Sequence, residues 1–406
     1  MSDLDTRRAC PIADAPPSFP FAMPPGLEMI PEYAVLREEA PITKVRLPQG
    51  EAWLVTRYAD VRRIVTDSRF SRALACDPEA PRITAVPLPN TSIISMDPPQ
   101  HTRLRSIVTR EFTTRRVDRL REATERILEG LLDRMAETTN PADFVSAVAQ
   151  PFPASVVGEL FGVSAADRAA FRDWSRALLG ISAASEGALS ALGSIAEYFR
   201  GMVAERRERM TDDLIGALVR AHDEHGKLTD DELVSFGVIL LVAGSETTTD
   251  QMANSVYVLL SQDGQYRRLR DDPSLVPTAV EELLRYVPLG TGSGLPYLAT
   301  VDIEFDDVVV RAGDIVAVSY VSANRDPAAF AEPDTFDPAR SPNPHVGFGY
   351  GTHHCLGAQL ARMQLQVMFT CLPRRFPDLA LAVPPDQLAW KRGLLNRGPV
   401  SLPVTW

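Results

Sequence analysis

No proline falls between Thr229 and Pro273, and the stretch opens on a strong helix-start signal. In Thr229-x-x-Glu232 each side chain can take the other residue's backbone N–H, a capping box ahead of Leu233 and a long apolar run. The pattern predicts a helix reaching about Ser261, roughly 50 Å long at ~1.5 Å per residue. That is enough to cross a whole domain. Its longest apolar run, Phe236 to Gly244, is about half a membrane span, so no membrane anchor is expected.

The rest of the chain reads as mostly helical. Helical patterns cover His101 to about Glu137, then the neighbourhoods of 155–161, 166–180, 188–210 and 212–224. Another runs from about Thr278 to Tyr286, and a last one from Cys355 to about Leu372. Strand signals are minor. Ile42 to Arg46 and Glu51 to Thr56 form a pair turning at Pro48-Gln49-Gly50, and short runs follow at Leu298–Phe305, Val308–Val310 and Ile315–Val321. Residues 1–31 form a proline-rich extended lead, and 76–99 is a second proline-rich loop. No repeat and no Gly/Ser linker marks a border. One domain spanning 1–406 is expected, mainly α with small β-sheets.

Composition narrows the chemistry. A net charge of −11 disfavours nucleic acid and anionic membrane as partners. Only Lys44, Lys227 and Lys391 are lysines among 42 basic residues. The one Gly-Lys pair, Gly226-Lys227, is followed by Leu228, which excludes a Walker-type phosphate loop. No lysine sits in an apolar run suited to Schiff-base chemistry. Gly-x-Gly-x-x-Gly, Gly-x-Ser-x-Gly and His-Glu-x-x-His are all missing. Cys10, Cys76, Cys355 and Cys371 are too few and scattered for a disulfide framework, and none form Cys-x-x-Cys. No apolar stretch follows Arg7-Arg8, so no signal peptide is expected and the location reads as cytoplasmic and reducing.

The strongest chemical signal is Phe348-Gly-Tyr-Gly-Thr-His-His-Cys355-Leu-Gly357. Its glycines let backbone approach something flat and large. Cys355, placed at the first turn of the last helix, would have its thiolate favoured by the helix dipole and free N–H groups. Such a thiolate suits a soft or borderline metal. The residues alone leave two other readings open. One is a buried structural cysteine beside a glycine turn, and the other is a zinc site using His353, His354 and Cys355.

FGYGTHHCLG resembles the haem-binding loop of cytochrome P-450 enzymes, Phe-x-x-Gly-x-x-x-Cys-x-Gly, at every fixed position. Further signatures follow the family order. Ala243-Gly-Ser-Glu-Thr-Thr248 resembles the oxygen-activation motif, and Glu282-Leu-Leu-Arg285 the Glu-x-x-Arg of the next helix. Met96 to Arg105 resembles the segment that reaches the haem propionates, and Phe336-Asp-Pro-Ala-Arg340 the meander. Together they cover the chain from about residue 30 to its end.

This resemblance implies the P-450 fold, a large helical domain around a haem b (iron protoporphyrin IX). It implies Cys355 as iron ligand, with Phe348 packing beside the sulfur and Gly349, Gly351 and Gly357 admitting the porphyrin. His101, Arg105 and His353 would hold propionates. Glu246 and Thr247 would be the acid–alcohol pair that relays protons, with Gly244 keeping space for oxygen. Taken alone, Thr247 reads as a helix residue bonding the carbonyl of Ala243. Glu282, Arg285 and Arg340 would form a structural network. One position departs from the family: Tyr297 stands where bacterial members usually carry a propionate-binding Arg, and a phenol brings no charge.

The resemblance also implies a monooxygenase using O2 and electrons from NAD(P)H through ferredoxin reductase and ferredoxin. Seven arginines between 103 and 121 read as a solvated face or as a ferredoxin-docking patch. The pocket is expected to be bounded by 74–95, 170–205, 238–248, 289–297 and 394–396. Small residues along Leu289–Leu295 suggest room for a bulky substrate, and actinomycete likeness suggests a macrolide or polyene polyketide. The alternatives are an NADH-dependent nitric oxide reductase of the same fold and a non-catalytic haem-thiolate sensor.

Overall fold

The computed structural model describes residues 15–77, 80–81, 92–164, 166–167, 170, 173–174, 186–223, 229–290, 294–306, 308–391 and 396–406. They belong to two compact units. One comprises Met1–Pro98, Leu284–Phe336 and Pro342–Cys355, the other Pro99–Leu283, Asp337–Ser341 and Leu356–Trp406.

The first unit is built on a five-stranded sheet. Its strands are β1 (Ile42–Leu47), β2 (Gly50–Val55), β3 (Phe70–Ser71), β4 (Tyr297–Ala299) and β5 (Ile315–Val318), in the order β1-β2-β5-β4-β3. The predicted pair is present: β1 and β2 run antiparallel from Ile42↔Val55 to Leu47↔Gly50. β2 pairs parallel with β5, and β4 lies antiparallel between β5 and β3. Ile42, Val55, Phe70, Tyr297 and Val316 share one core with Val61 and Ile64 of helix α1 (Tyr58–Thr66). The strand expected to run on to Val321 stops early. Ser319 instead caps a short helix, Tyr320–Ala323, by accepting the Ser322 N–H.

The second unit is helical. The stretch predicted from His101 to Glu137 is broken into α2 (Gln100–Thr109), short turns and Arg121–Ala136, because Thr113 is extended between them. The long helix α3 (Asp230–Ser261) starts on the predicted capping box: Thr229 N–H donates to Glu232 Oε2 at 2.8 Å, and Glu232 N–H to Thr229 Oγ1 at 3.1 Å. By length and composition alone Glu232–Ser261 could cross a membrane. Its Leu233, Phe236, Leu241, Met252 and Val256 are nevertheless buried within the unit, where it packs on Pro151–Phe161 and Glu186–Glu208. The last helix, α4 (Ala358–Arg375), lies against Arg121–Ala136. Most of the helix expected at 166–180 and much of the 76–99 loop lie outside the described residues.

Candidate functional site

In the first unit the loop preceding Cys355 is folded tightly on itself. Cys355 N–H donates to Phe348 O at 2.8 Å, and Gly349 N–H to Val346 O at 2.9 Å. Gly349 and Gly351 have φ of +70° and +72°, the left-handed region that glycine enters at no steric cost. At Gly351 a second reason applies: a Cβ there would stand 2.6 Å from Val65 O of α1. Gly351 is therefore required by packing and turn geometry. Phe348 packs edge-on to His354, with ring centroids 6.3 Å apart, and His353 is half-buried.

The Cys355 side chain is exposed, and it precedes the helix instead of opening it. Gly357 is the N-cap and α4 begins at Ala358. The expected first-turn position is corrected accordingly: Cys355 lies in the turn just before the helix. At Gly357 a Cβ would meet nothing within 4 Å, so space is open there. Among the described residues no group of three or more His, Cys, Asp and Glu side chains converges. An exposed thiol in a glycine-rich loop suits a haem iron, which would need only one ligand from the protein here. It does not fit a protein-caged zinc ion.

Tyr297 is buried on β4, and Arg72 Nη2 donates to its phenol at 2.9 Å while the guanidinium stacks 4.8 Å over its ring. Gly294, read as room for substrate, is close to Tyr320: a Cβ there would lie 2.7 Å from that ring. Residues 291–293 of the same segment, and the other expected pocket borders at 82–91, 175–185 and 394–395, lie outside the described residues.

In the second unit, His101 is buried and Arg105 half-buried, one turn apart on α2. The Arg103–Glu232 pair, at 2.6 Å, ties this helix to the start of α3. Midway along α3, Thr247 Oγ1 donates to Ala243 O at 2.6 Å, the i−4 bond expected of an isolated threonine. The helix runs through it unbroken. At Gly244 a Cβ would crowd Val157 Cγ2 at 3.2 Å.

Glu246 is half-buried beside Thr247, and burial pushes its carboxyl above the usual range. Lys391 pulls it down, and Asp250 pushes it up. Asp250 is fully buried and lies 2.7 Å from Lys391 Nζ, which is 3.9 Å from Glu246. Burial raises the Asp250 carboxyl as well, against the pull of Lys391. Neither Asp250 nor Lys391 emerged from the sequence as a site residue. Two carboxylates at i and i+4 in an apolar helix repel unless a cation joins them, and that was the readable signal.

Part of the expected structural network is present, in the Glu282–Arg340 pair. Glu282 accepts from Arg340 Nε at 3.0 Å and from the Asp337 N–H at 3.1 Å. Arg285, also buried, donates to the carbonyls of Asn324, Pro333 and Thr335. Part of the arginine-rich face is spent locally: Arg116 pairs with Glu111 and Asp212, and Arg121 with Asp118.

Residues 188–397 match the model of the family described as cytochrome P450. The chain is 50% identical over 392 residues to nocardicin C N-oxygenase of Nocardia uniformis subsp. tsuyamanensis, covering 96% of this chain and 98% of that one. It is 44% identical to mycinamicin IV hydroxylase/epoxidase of Micromonospora griseorubida, covering 96% and 99%. Among solved structures it resembles the LnmA cytochrome P450 hydroxylase of the leinamycin pathway of Streptomyces atroolivaceus S-140, with TM-score 0.91, 48% identity, and 96% and 100% coverage. With an exposed thiol in a glycine-rich loop and relatives matched over 96% of its length, the chain belongs to the cytochrome P450 family of haem-dependent monooxygenases.

Proposed function

We propose that this chain, as one domain of residues 1–406, is a soluble cytoplasmic enzyme. It would bind haem b through Cys355 and hydroxylate or epoxidise a bulky secondary metabolite of the macrolide polyketide class. Electrons would come from NAD(P)H through ferredoxin reductase and ferredoxin. When bound, the haem supplies oxygen activation, which thiolate ligation favours by promoting O–O cleavage. On this reading Phe348 and Gly349 would support the thiol's loop, and His101, Arg105 and His353 would each be a candidate for holding a haem carboxylate, as the resemblance implies.

The observation that carries this reading is the Glu246–Thr247 pair. Thr247 donates its hydroxyl proton to Ala243 O, which leaves the lone pairs of Oγ1 as acceptors. Glu246, held toward its protonated form by burial, is suited to deliver a proton. A binding protein or sensor has no use for such a relay.

The substrate class is supported by the mycinamicin IV hydroxylase/epoxidase likeness at 44% identity. A second reading, N-oxygenation, is favoured by 50% identity to nocardicin C N-oxygenase. Titrating the haem protein with a panel of macrolide polyketides and with nocardicin C separates them. A low-spin to high-spin Soret shift with a macrolide supports the first reading, a shift with nocardicin C alone supports the second, and no shift with either overturns both.

A further inference from the structure

Arg72 is a buried cation in search of an anion. It follows β3 at the start of a short helix, Arg72–Ala75, and is 6% exposed. A guanidinium carries five N–H donors and does not lose its charge. Here one bond goes to the Tyr297 phenol at 2.9 Å and a weak one to Ile94 O at 3.4 Å. Nε is buried with no hydrogen-bond partner among the described residues, and no described carboxylate forms an ion pair with the group. Asp97, close by in the chain fold, spends its oxygens on the Ser71 hydroxyl and on the backbone N–H groups of Arg72 and Ala73. A buried charge without a counter-charge is strongly destabilising.

The surroundings say where the counter-charge comes from. Tyr297 and Tyr320 lie beside Arg72, and burial together with the neighbouring Tyr297 pushes the Tyr320 phenol upward. The Tyr320 hydroxyl is 3.6 Å from where a Cβ of Gly349 would be, inside the loop that ends at Cys355. The polar chain Arg72–Tyr297–Tyr320 therefore adjoins the cofactor loop. The resemblance puts Tyr297 where an arginine is expected, and on that reading the charge missing from 297 is present on a neighbouring element.

We propose that Arg72 binds a haem carboxylate, with the Tyr297 phenol as the post that orients its guanidinium. The charge has moved from β4 to the residue after β3, and the aromatic ring left at 297 stacks on it. This inference rests on the haem b reading above, since protoporphyrin IX supplies the carboxylates.

The test is the rate at which the full-length haem protein loses haem to excess apomyoglobin. Arg72→Gln keeps a donor for Tyr297 but removes the charge, and should speed loss about ten-fold. Arg72→Lys should stay near wild type, and adding Tyr297→Arg to Arg72→Gln should restore retention. Loss at the wild-type rate in Arg72→Gln, or equal acceleration in Gln and Lys variants without rescue, overturns the proposal. If Arg72→Gln does not fold, the propionate-bending frequency in resonance Raman decides. A shift in Arg72→Lys supports the contact, and an unchanged frequency overturns it. The haem b reading fails separately, if wild-type protein shows no thiolate-type reduced-CO Soret band.

Discussion

Lys391 Nζ lies 2.7 Å from Asp250 Oδ1 and 3.9 Å from Glu246 Oε1, so one of only three lysines in the chain holds two carboxylates one helical turn apart. Asp250 is buried, and Gly398 leaves room for it, since a Cβ there would strike Oδ1 at 2.4 Å. Lys391→Met should therefore destabilise the protein by ~3 kcal/mol, because a buried carboxylate loses its partner. Lys391→Met/Asp250→Asn should recover most of that. Chemical denaturation of the four proteins gives the coupling, and additive losses would refute it.

The same pair sets a pH dependence. Burial raises both carboxyls, so the folded state binds protons more tightly than the unfolded chain. Stability then falls as pH climbs from the ordinary carboxylate value through the raised one, with the full loss present above it. Glu246→Gln should flatten part of this decline and raise Tm at neutral pH relative to wild type. Thermal unfolding from acid to neutral pH checks the sign.

In the proposed relay Thr247 supplies the hydroxyl. Thr247→Ala should leave substrate binding intact while diverting reducing equivalents to hydrogen peroxide, with product per NAD(P)H reduced about ten-fold. Peroxide and product measured side by side test this, and unchanged coupling removes Thr247 from the relay.

Cys355→Ser should abolish the red-shifted Soret band of the reduced, CO-bound protein while leaving the helical content unchanged. Far-UV circular dichroism run beside the CO difference spectrum separates ligand loss from unfolding.

Two glycines of the same loop should respond in opposite ways. Gly351→Ala forces a Cβ against Val65 O at an already left-handed φ, and should cost about 1–3 kcal/mol of stability. Gly357→Ala meets no protein atom within 4 Å, so the stability of haem-free protein should hold while haem uptake falls. Apoprotein melting and haem titration of both variants distinguish packing glycines from cofactor glycines.

Local signals were legible wherever the chemistry is local. Thr229 and Glu232 cap the long helix because their spacing allows nothing better, and the i−4 bond of Thr247 needs only its own helix. The spacing of Ile42–Leu47 against Gly50–Val55 fixes a hairpin in register. The motif around Cys355 identified the family without any coordinates. What the chain alone did not disclose are pairings between residues far apart in sequence. Lys391 with Asp250, Arg72 with Tyr297, Arg340 with Glu282 and the packing of Gly351 on Val65 each join segments dozens to hundreds of positions apart. Burial creates those pairings: a charge or a missing side chain acquires its meaning only from what folding brings against it, and periodicity carries no record of that.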